Sequence, residues 1–149
     1  MDKIRVLYFL EDRAQERFLV SLVERIALGI SIPREAIAPD VRSSRGGSRV
    51  MGEFEAFARD LRAAGMCGAD IIVVGVDGDC DGPEKKARQL KEYVQDTDPF
   101  RDVLIYAIPD PHIERWYLLD QEALKRGTGL RQGISPPAYK CEGDITRES

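Results

Sequence analysis

Acidic side chains directly follow three strongly apolar segments of this sequence. They are Glu11 and Asp12 after the first segment, Asp77, Asp79 and Asp81 after the second, and Asp110 and Glu114 after the third. Carboxylates that gather in one place repel one another, and this repulsion is costly unless cations neutralise it. Oxygen ligands without histidine or cysteine favour Mg²⁺, Mn²⁺ or Ca²⁺ over zinc. The pattern therefore indicates a site for a hard divalent cation, if the fold brings the three groups together.

The segment 77–82 places acids at three alternate positions and has several interpretations. As D-x-D-x-D-G it matches the start of an EF-hand loop, but Arg88 stands where that loop needs a bidentate glutamate. A strand that ends in D-x-D also resembles the haloacid-dehalogenase phosphatases, whose first aspartate accepts the phosphoryl group, although that family usually has this strand near the N-terminus. A structural alternative is an acidic turn in which Asp81 caps the helix that begins at Pro83. A cap accounts for only one of the three acids.

Strand and helix patterns alternate along the chain and determine where these acids stand. The predicted strands cover 4–10, 36–41, 71–76 and 103–108, and the predicted helices cover 14–27, 51–61, a segment from Pro83, and 113–119. Such alternation predicts an α/β fold, a single Rossmann-like domain with a mostly parallel sheet of about four strands and helices on both faces. Ligands of such sheets bind at the carboxyl ends of the strands, where the acids stand. The pattern places the domain at 1–126 and leaves 127–149 as an irregular tail.

Composition narrows the class of protein further. The 149 residues fit one domain, and three cysteines without a C-x-x-C pair, with a single histidine, argue against a disulfide framework or a zinc cluster. The net charge of −4 argues against a generic basic nucleic-acid binder, although two bound Mg²⁺ ions would bring that charge to zero. The apolar runs are far shorter than the ~20 residues of a membrane helix, and no signal-peptide pattern opens the sequence. We therefore expect a soluble, cytoplasmic protein with no membrane partner.

Basic residues form two groups near the predicted strand ends. A loop after the second strand has three arginines around two glycines, and two lysines follow the acidic segment. A flexible cationic loop is suited to gripping a phosphate backbone, so both groups are candidates for nucleic-acid binding. The equally simple alternative is two ordinary solvated surfaces. The residues concerned are Arg42, Arg45, Gly46, Gly47 and Arg49 in the loop, and Lys85 and Lys86 after the acidic segment.

The turn after the fourth strand contains further polar residues. Asp110 and Pro111 are typical of the N-cap and first turn of the helix predicted over 113–119. Glu114 would then lie in the first turn, where the helix dipole favours an acid, or at the edge of the site. His112, beside a proline, is more typical of a surface or capping residue than of a metal ligand.

Three of these segments, taken in order, resemble the motifs of the Toprim superfamily, the catalytic module of topoisomerases, primases and nucleases of the overcoming-lysogenization-defect type. YFLEDRAQERFL, at residues 8–19, is similar to the segment with an apolar strand followed by E-G-x-x-E. IIVVGVDGDCDG is similar to the D-x-D segment, and IPDPHIERWYLLDQEAL resembles a further motif of small Toprim-like proteins. The resemblance covers residues 4–124. Asp12 departs from it, because the family usually has glycine at that position.

The resemblance implies a domain that holds one or two Mg²⁺ or Mn²⁺ ions at the C-terminal edge of its sheet. Glu11 would be the general acid or base or a metal ligand. Asp77 and Asp79 would be metal ligands. Asp81 matches no obligatory position of the family, but its carboxylate could serve a second ion. The edge of the site would comprise Asp12 and Glu114.

The implied activity is cleavage of nucleic-acid phosphodiesters by a nuclease, with DNA as the expected substrate. Phosphodiester cleavage uses metal ions to neutralise charge on the phosphate and to activate water, which matches the acidic motifs. The resemblance also implies a link to phage defence and an ATPase partner protein. The alternatives are a non-catalytic module that binds nucleic acid or protein, and a phosphatase that acts on a small phosphorylated substrate.

Overall fold

The computed structural model describes residues 2–65, 68–129 and 131–132 of the chain. These residues form four β-strands and five α-helices. In chain order the elements are β1 Ile4–Leu10, α1 Arg13–Gly29, β2 Ile37–Ser43, α2 Val50–Ala63, β3 Ile71–Gly75, α3 Pro83–Lys91, β4 Leu104–Ala107, α4 Ile113–Leu119 and α5 Gln121–Thr128. Short 3₁₀ turns precede β2, α2 and β4.

The four strands form one all-parallel sheet in the order β2-β1-β3-β4. Leu10 at the end of β1 lies opposite Ser43 of β2 and Gly75 of β3, so these strands end at the same level. β2 lies at an edge, as the proline at position 39 predicts, because proline has no N–H to donate to a second neighbour. The predicted α/β fold with a parallel four-stranded sheet in a single Rossmann-like domain is confirmed.

Helices cover both faces of the sheet. On one face α2 and α3 pack against β1 and β3, and the ring of Phe9 lies 5.4 Å from that of Phe54 and 5.1 Å from that of Phe57. On the other face α1 packs against the alternate side chains of the same strands, including the fully buried Tyr8. Successive side chains of a strand point to opposite faces, so a strand covered on both faces is apolar throughout. This is why the bounds of β1 could be predicted to the residue.

The C-terminal part of the described chain extends the helical structure slightly. α5 continues to Thr128, two residues beyond the predicted domain boundary at 126. Apart from residues 127–129, 131 and 132, the predicted tail lies outside the described residues. None of the described helices combines the length and the apolar character that a membrane crossing needs.

Candidate metal centre

The carboxyl edge of the sheet brings Glu11 and Asp77 together. They follow the neighbouring strands β1 and β3, and only 9% and 8% of these residues are exposed. The N–H of Glu11 donates to the carbonyl of Gly75 at 2.9 Å, and the N–H of Asp77 donates to Oε2 of Glu11 at 2.7 Å. Burial raises the pKa of the Glu11 carboxyl, and the hydrogen bond from Asp77 offsets part of that rise. The first acid therefore lies against the backbone of the second, at the edge where α/β sheets bind ligands.

The carboxylate of Asp77 is held from three directions. Oδ1 accepts hydrogen bonds from the side-chain amide of Gln15 at 2.9 Å and from the N–H of Ile113 at 3.1 Å. Oδ2 lies 3.3 Å from Nδ1 of His112. Burial raises the pKa of this carboxyl, and the contacts with Gln15 and His112 offset part of the rise. The pKa of this carboxyl stays raised despite these partners, so additional positive charge beside it would stabilise its ionised form.

Gln15, in the first turn of α1, links the two acids. It is fully buried, its amide nitrogen donates to Asp77, and its amide oxygen accepts the N–H of Glu11 at 3.1 Å. Gly75 makes room for it, because a Cβ on this glycine would lie 3.0 Å from the amide oxygen of Gln15. Asp12 caps α1 by accepting the N–H of Gln15 at 2.9 Å. The turn after β1 is therefore fixed by side chains that serve the helix and the site at once.

The loop after β3 is held against the segment that precedes α4. The N–H groups of Gly78 and Asp79 donate to the carbonyl oxygens of Pro109 and Pro111 at 2.9 and 3.0 Å. This close approach requires glycine at position 78, because a Cβ there would lie 2.8 Å from the oxygen of Pro109. Asp79 has φ of +50°, in the left-handed region that aspartate enters more readily than most residues. These contacts place the second aspartate of the D-x-D segment beside the start of α4.

Asp77, Asp79 and His112 form a group whose ligand atoms all lie within 4.8 Å of one another. Nδ1 of His112 is 3.3 Å from Oδ2 of Asp77 and 3.3 Å from Oδ1 of Asp79. The prediction of a surface or capping residue at this position holds for the backbone but not for the side chain. His112 is the N-cap residue of α4, but its side chain makes no capping hydrogen bond and lies instead between the two aspartates.

The residues present fit a divalent metal ion. Their donor set combines two carboxylates with one imidazole, and a third carboxylate, that of Glu11, accepts a hydrogen bond from the Asp77 backbone. Burial raises the pKa of both Glu11 and Asp77, so their ionised forms are costly in the folded protein. A cation held between these groups would relieve that cost. The group, of which Asp77 is buried and Asp79 and His112 are partly exposed, can therefore hold a metal ion, and its oxygen and nitrogen donors are those of a divalent site.

Lys86 supplies positive charge from within the domain. Only 7% of it is exposed, and its Nζ lies 3.4 Å from Oδ2 of Asp79 and 4.0 Å from Oδ2 of Asp81. The expected contact of this lysine with a phosphate backbone would require it to leave these carboxylates. Lys85 is exposed, and its hydrogen bond to Asp81 at 2.8 Å lowers the pKa of that carboxyl. The capping interpretation of Asp81 is wrong, because the N-cap of α3 is Gly82 and no side chain caps this helix.

Two of the three predicted arginines, Arg42 within β2 and Arg45 in the loop that follows, are tied to acids of α2. Nε of Arg45 lies 2.6 Å from Oε1 of Glu53, and Nη1 of Arg42 lies 4.0 Å from Oδ2 of Asp60. Hydrogen bonds from Ser44 and Arg45 lower the pKa of Glu53 to about 2, so this glutamate is charged at neutral pH. Part of the positive charge of the loop is therefore balanced within the domain.

The glycines of this loop bring it beside the metal group. Gly46 and Gly47 have φ of +75° and +60°, which favours glycine at both positions. A Cβ on Gly46 would lie 3.6 Å from the carbonyl oxygen of Glu11, so the loop passes over the end of β1. Arg49 is exposed in the 3₁₀ turn that follows. The cationic loop and the acidic group therefore share one edge of the sheet.

The start of α4 differs from its sequence-based prediction. The helix begins at Ile113, so Asp110 is not its N-cap. The carboxylate of Asp77 accepts the N–H of Ile113 instead, and thus an acid of the site also caps the helix. Glu114 is exposed in the first turn, where the helix dipole favours an acid, and within the described residues it is not a member of the metal group.

Two residues of this site, Gln15 and His112, were not predicted as members. The available signal for His112 was its position in the turn after a strand, because such turns lie at the ligand-binding edge. The signal for Gln15 was a polar residue one helical turn before Leu19 on the buried stripe of α1. A polar residue on a buried stripe needs a partner, and here that partner is the site itself.

Comparison of the chain with protein-family models, with curated proteins and with solved structures finds no match. The class of the protein therefore follows from its own fold and site. It is an α/β domain with a parallel sheet whose carboxyl edge carries a partly buried group able to hold a metal ion.

Proposed function

We propose that this protein is a metal-dependent nuclease of the Toprim type, which cleaves phosphodiester bonds in nucleic acid. The observation that carries the proposal is the group of Asp77, Asp79 and His112, with Glu11 beside it, at the carboxyl edge of a parallel sheet. The order of the acidic motifs along the chain supports the same assignment. Phosphodiester hydrolysis is the reaction for which clustered carboxylates and a divalent ion are commonly combined.

In the proposed reaction the acids have different roles. A water oxygen attacks phosphorus, the bond from phosphorus to one ester oxygen breaks, and that oxygen leaves with a proton. A bound divalent ion would neutralise charge on the phosphate and lower the pKa of the attacking water. Asp77 and Asp79 would hold the ion. Glu11, whose pKa is raised by burial, is suited to take the proton of the water or to deliver one to the leaving oxygen.

The charge balance of the site favours one ion over two. A second ion would need Asp81, the further ligand in the D-x-D-x-D segment. Asp81 already pairs with Lys85, and the buried Lys86 lies between it and Asp79. The ammonium of Lys86 therefore already supplies positive charge between Asp79 and Asp81, where a second metal ion would have to bind.

Substrate binding is assigned to Arg42 near the end of β2 and to Arg45 and Arg49 in the segment that follows it. The loop lies at the same edge as the acids, and phosphate contacts by arginine position a nucleic acid without reading its sequence. Arg49 is exposed, whereas Arg45 would have to exchange Glu53 for a phosphate. The proposed surface is therefore compatible with an acidic protein, since only the edge beside the metal needs to be cationic.

A phosphatase of the haloacid-dehalogenase kind has less support. Its mechanism requires the first aspartate to attack phosphorus with a free carboxylate oxygen. Both oxygens of Asp77 have partners here, Oδ1 in Gln15 and Ile113 and Oδ2 in His112. This arrangement suits a carboxylate that stays fixed as a ligand better than one that becomes a nucleophile.

The experiment compares nicking of supercoiled plasmid in Mn²⁺ with hydrolysis of p-nitrophenyl phosphate under the same conditions. Wild type is assayed beside Asp77→Asn and a matched control, Asp98→Asn, which makes the same change at a buried aspartate paired with Arg62. We expect nicking by wild type and by the control but not by Asp77→Asn. Turnover of p-nitrophenyl phosphate without nicking would favour the phosphatase. A plasmid gel shift in Ca²⁺ with neither activity would favour the binding module.

A further inference from the structure

We propose that His112 is a direct ligand of the metal ion and makes the site prefer a transition metal such as Mn²⁺ over Mg²⁺. This inference rests on the proposed function only in that a metal ion occupies the group. It adds a nitrogen ligand to a site for which the sequence predicted only carboxylate ligands. It also makes metal preference a property of the turn before α4 rather than of the D-x-D segment alone.

The distances suit coordination. Two ligands on adjacent corners of an octahedron, each about 2.1 Å from the ion, lie about 3 Å apart. Nδ1 of His112 lies 3.3 Å from one oxygen of Asp77 and 3.3 Å from one oxygen of Asp79. Nδ1 of His112 is thus spaced from each aspartate oxygen like a neighbour in one coordination sphere, and all three ligand atoms lie within 4.8 Å of one another.

Hydrogen bonds fix the backbone on both sides of His112. The carbonyl of Pro111, the residue before His112, accepts the N–H of Asp79 at 3.0 Å. The N–H of Ile113, the residue after it, donates to the carboxylate of Asp77 at 3.1 Å. Each aspartate of the group is therefore bonded to a residue adjacent to the histidine, so the three side chains keep their relation to one another. Preorganisation of this kind is what a metal site needs from its protein.

A nitrogen ligand changes which ion binds best. Mg²⁺ binds through oxygen and gains little from an imidazole, whereas first-row transition ions accept nitrogen readily. With two carboxylates and one imidazole, the site combines hard and borderline donors. The histidine therefore contributes most to the affinity for transition ions and least to that for Mg²⁺.

The alternative role for His112 is that of a cation in its own right. A protonated imidazole between two carboxylates would neutralise them and would compete with a metal ion for the same space. The two roles predict opposite effects of removing the ring. A ligand strengthens metal binding, so its loss weakens the affinity, whereas a competing cation weakens metal binding and its loss raises the affinity.

The test uses Mn²⁺ and Mg²⁺ alone as probes on the full chain without an affinity tag. His112 is the only histidine of the sequence, so any imidazole coupled to bound Mn²⁺ is identified without ambiguity. Pulsed electron paramagnetic resonance of protein labelled with ¹⁵N-histidine should show that coupling in the wild type. Isothermal titration then gives the affinities of wild type, His112→Ala, His112→Asn and a remote control, Glu122→Gln on α5.

We expect His112→Ala to weaken Mn²⁺ binding by about tenfold or more, since even the outer partners of metal ligands contribute that much. Mg²⁺ binding should change by no more than about threefold, because oxygen ligands dominate its affinity. His112→Asn should lower the preference for Mn²⁺ as well, and Glu122→Gln should leave both affinities unchanged.

Bound Mn²⁺ without imidazole coupling, or tighter metal binding by His112→Ala, would overturn the assignment of His112 and leave the proposed nuclease standing. Absence of Mn²⁺ binding by the wild type would overturn both. The resonance measurement needs no variant, so the inference stays testable even if a substitution prevents folding.

Discussion

Two aspartates of this domain, Asp77 and Asp98, have nearly equal solvent exposure, but their pKa values are shifted in opposite directions. They are 8% and 6% exposed. Asp98 accepts two hydrogen bonds from the guanidinium of Arg62, at 2.8 and 2.9 Å, and a third from the N–H of Gln95 at 2.7 Å. The hydrogen bonds from Arg62 lower the pKa of Asp98, whereas burial raises that of Asp77. Solvent exposure alone therefore does not fix the direction of a carboxyl pKa shift, which depends also on how deeply the carboxyl lies in the protein and on its partners.

The difference separates a structural acid from a functional one. Asp98 meets a full positive charge in a bidentate geometry, so its own charge is satisfied when the protein is folded. Asp77 meets an amide, a backbone N–H and an imidazole, while other carboxylates lie nearby. Its charge is incompletely balanced, and a bound cation is the simplest way to complete the balance. A surplus of carboxylate at the ligand-binding edge is what we interpret as the metal site.

Replacing each aspartate in turn by asparagine should reveal the largest difference between Asp77 and Asp98 in the rate of plasmid cleavage. Asp77→Asn removes a charged metal ligand, and we expect plasmid cleavage to fall by at least about a thousandfold, as for residues that act as a unit. Asp98→Asn should keep cleavage within about twofold, because no part of the proposed reaction uses it. The measurement is the initial rate of nicking in Mn²⁺ at a temperature where both variants are folded. Equal losses of cleavage rate in the two variants would contradict the distinction between a metal-binding Asp77 and a structural Asp98.

Metal-linked stability should differ between the same variants. A metal that binds only the folded protein stabilises it by about 2.7 kcal/mol at a concentration 100 times its dissociation constant. We expect wild type and Asp98→Asn to show this gain in Mn²⁺, and Asp77→Asn to lose most of it. Urea denaturation with Mn²⁺, and after its removal with a chelator, measures the difference. A wild-type curve that millimolar Mn²⁺ and Mg²⁺ both leave unchanged would contradict an ordered site.

In the absence of metal the order of the two variants should reverse. Asp98→Asn leaves Arg62 without its carboxylate, and we expect the free energy of unfolding to fall by about 1–2 kcal/mol. The value lies below that for a fully buried ion pair, because one third of the Arg62 side chain is exposed. Asp77→Asn should cost less than about 1 kcal/mol, since it removes an unfavourable charge while its amide oxygen can still accept an N–H. A larger loss for Asp77→Asn than for Asp98→Asn in chelator would contradict the comparison.

The fold could be predicted from the sequence because the patterns that indicate strands and helices lie within short segments of the chain. The apolar run at 4–10 has the bounds of β1, and the alternation of strand and helix is sufficient to predict a parallel sheet. It also predicted which edge carries Glu11 and Asp77, since both stand directly after strands. Parallel strands end at a common edge, so no knowledge of side-chain contacts was needed.

The partners of those acids could not be predicted in the same way. Gln15 bonds to Asp77 across 62 positions of the chain, and His112 meets it across 35. Helical and strand periodicity does not predict which side chains come into contact over such sequence separations. For Lys86 the sequence left open a phosphate contact and an ordinary solvated surface, but the first turn of α3 buries this lysine beside Asp79. Local patterns thus position the elements, and the identities of the paired charges follow only from the assembled sheet edge.

The smallest effect concerns the pH dependence of the structural aspartate. The pKa of Asp98 is lowered in the folded protein, whereas the pKa of an aspartate in an unfolded chain is about 3.9. The folded state then binds fewer protons than the unfolded state in the interval between these values. The contribution of Asp98 is therefore fully present above about pH 4 and is lost as the pH falls through its folded pKa.

This dependence should appear as a shrinking difference between wild type and Asp98→Asn. At neutral pH the variant should be less stable by the amount given above, and the two free energies of unfolding should converge as the pH is lowered below about 4. Asparagine does not titrate, so the pH dependence that remains in the variant belongs to the other carboxyls. Urea denaturation at a series of pH values in chelator measures the difference without interference from metal. A gap that stays constant down to the acid limit would mean that Arg62 does not lower the pKa of Asp98, and the contrast with Asp77 would then rest on catalysis and metal binding alone.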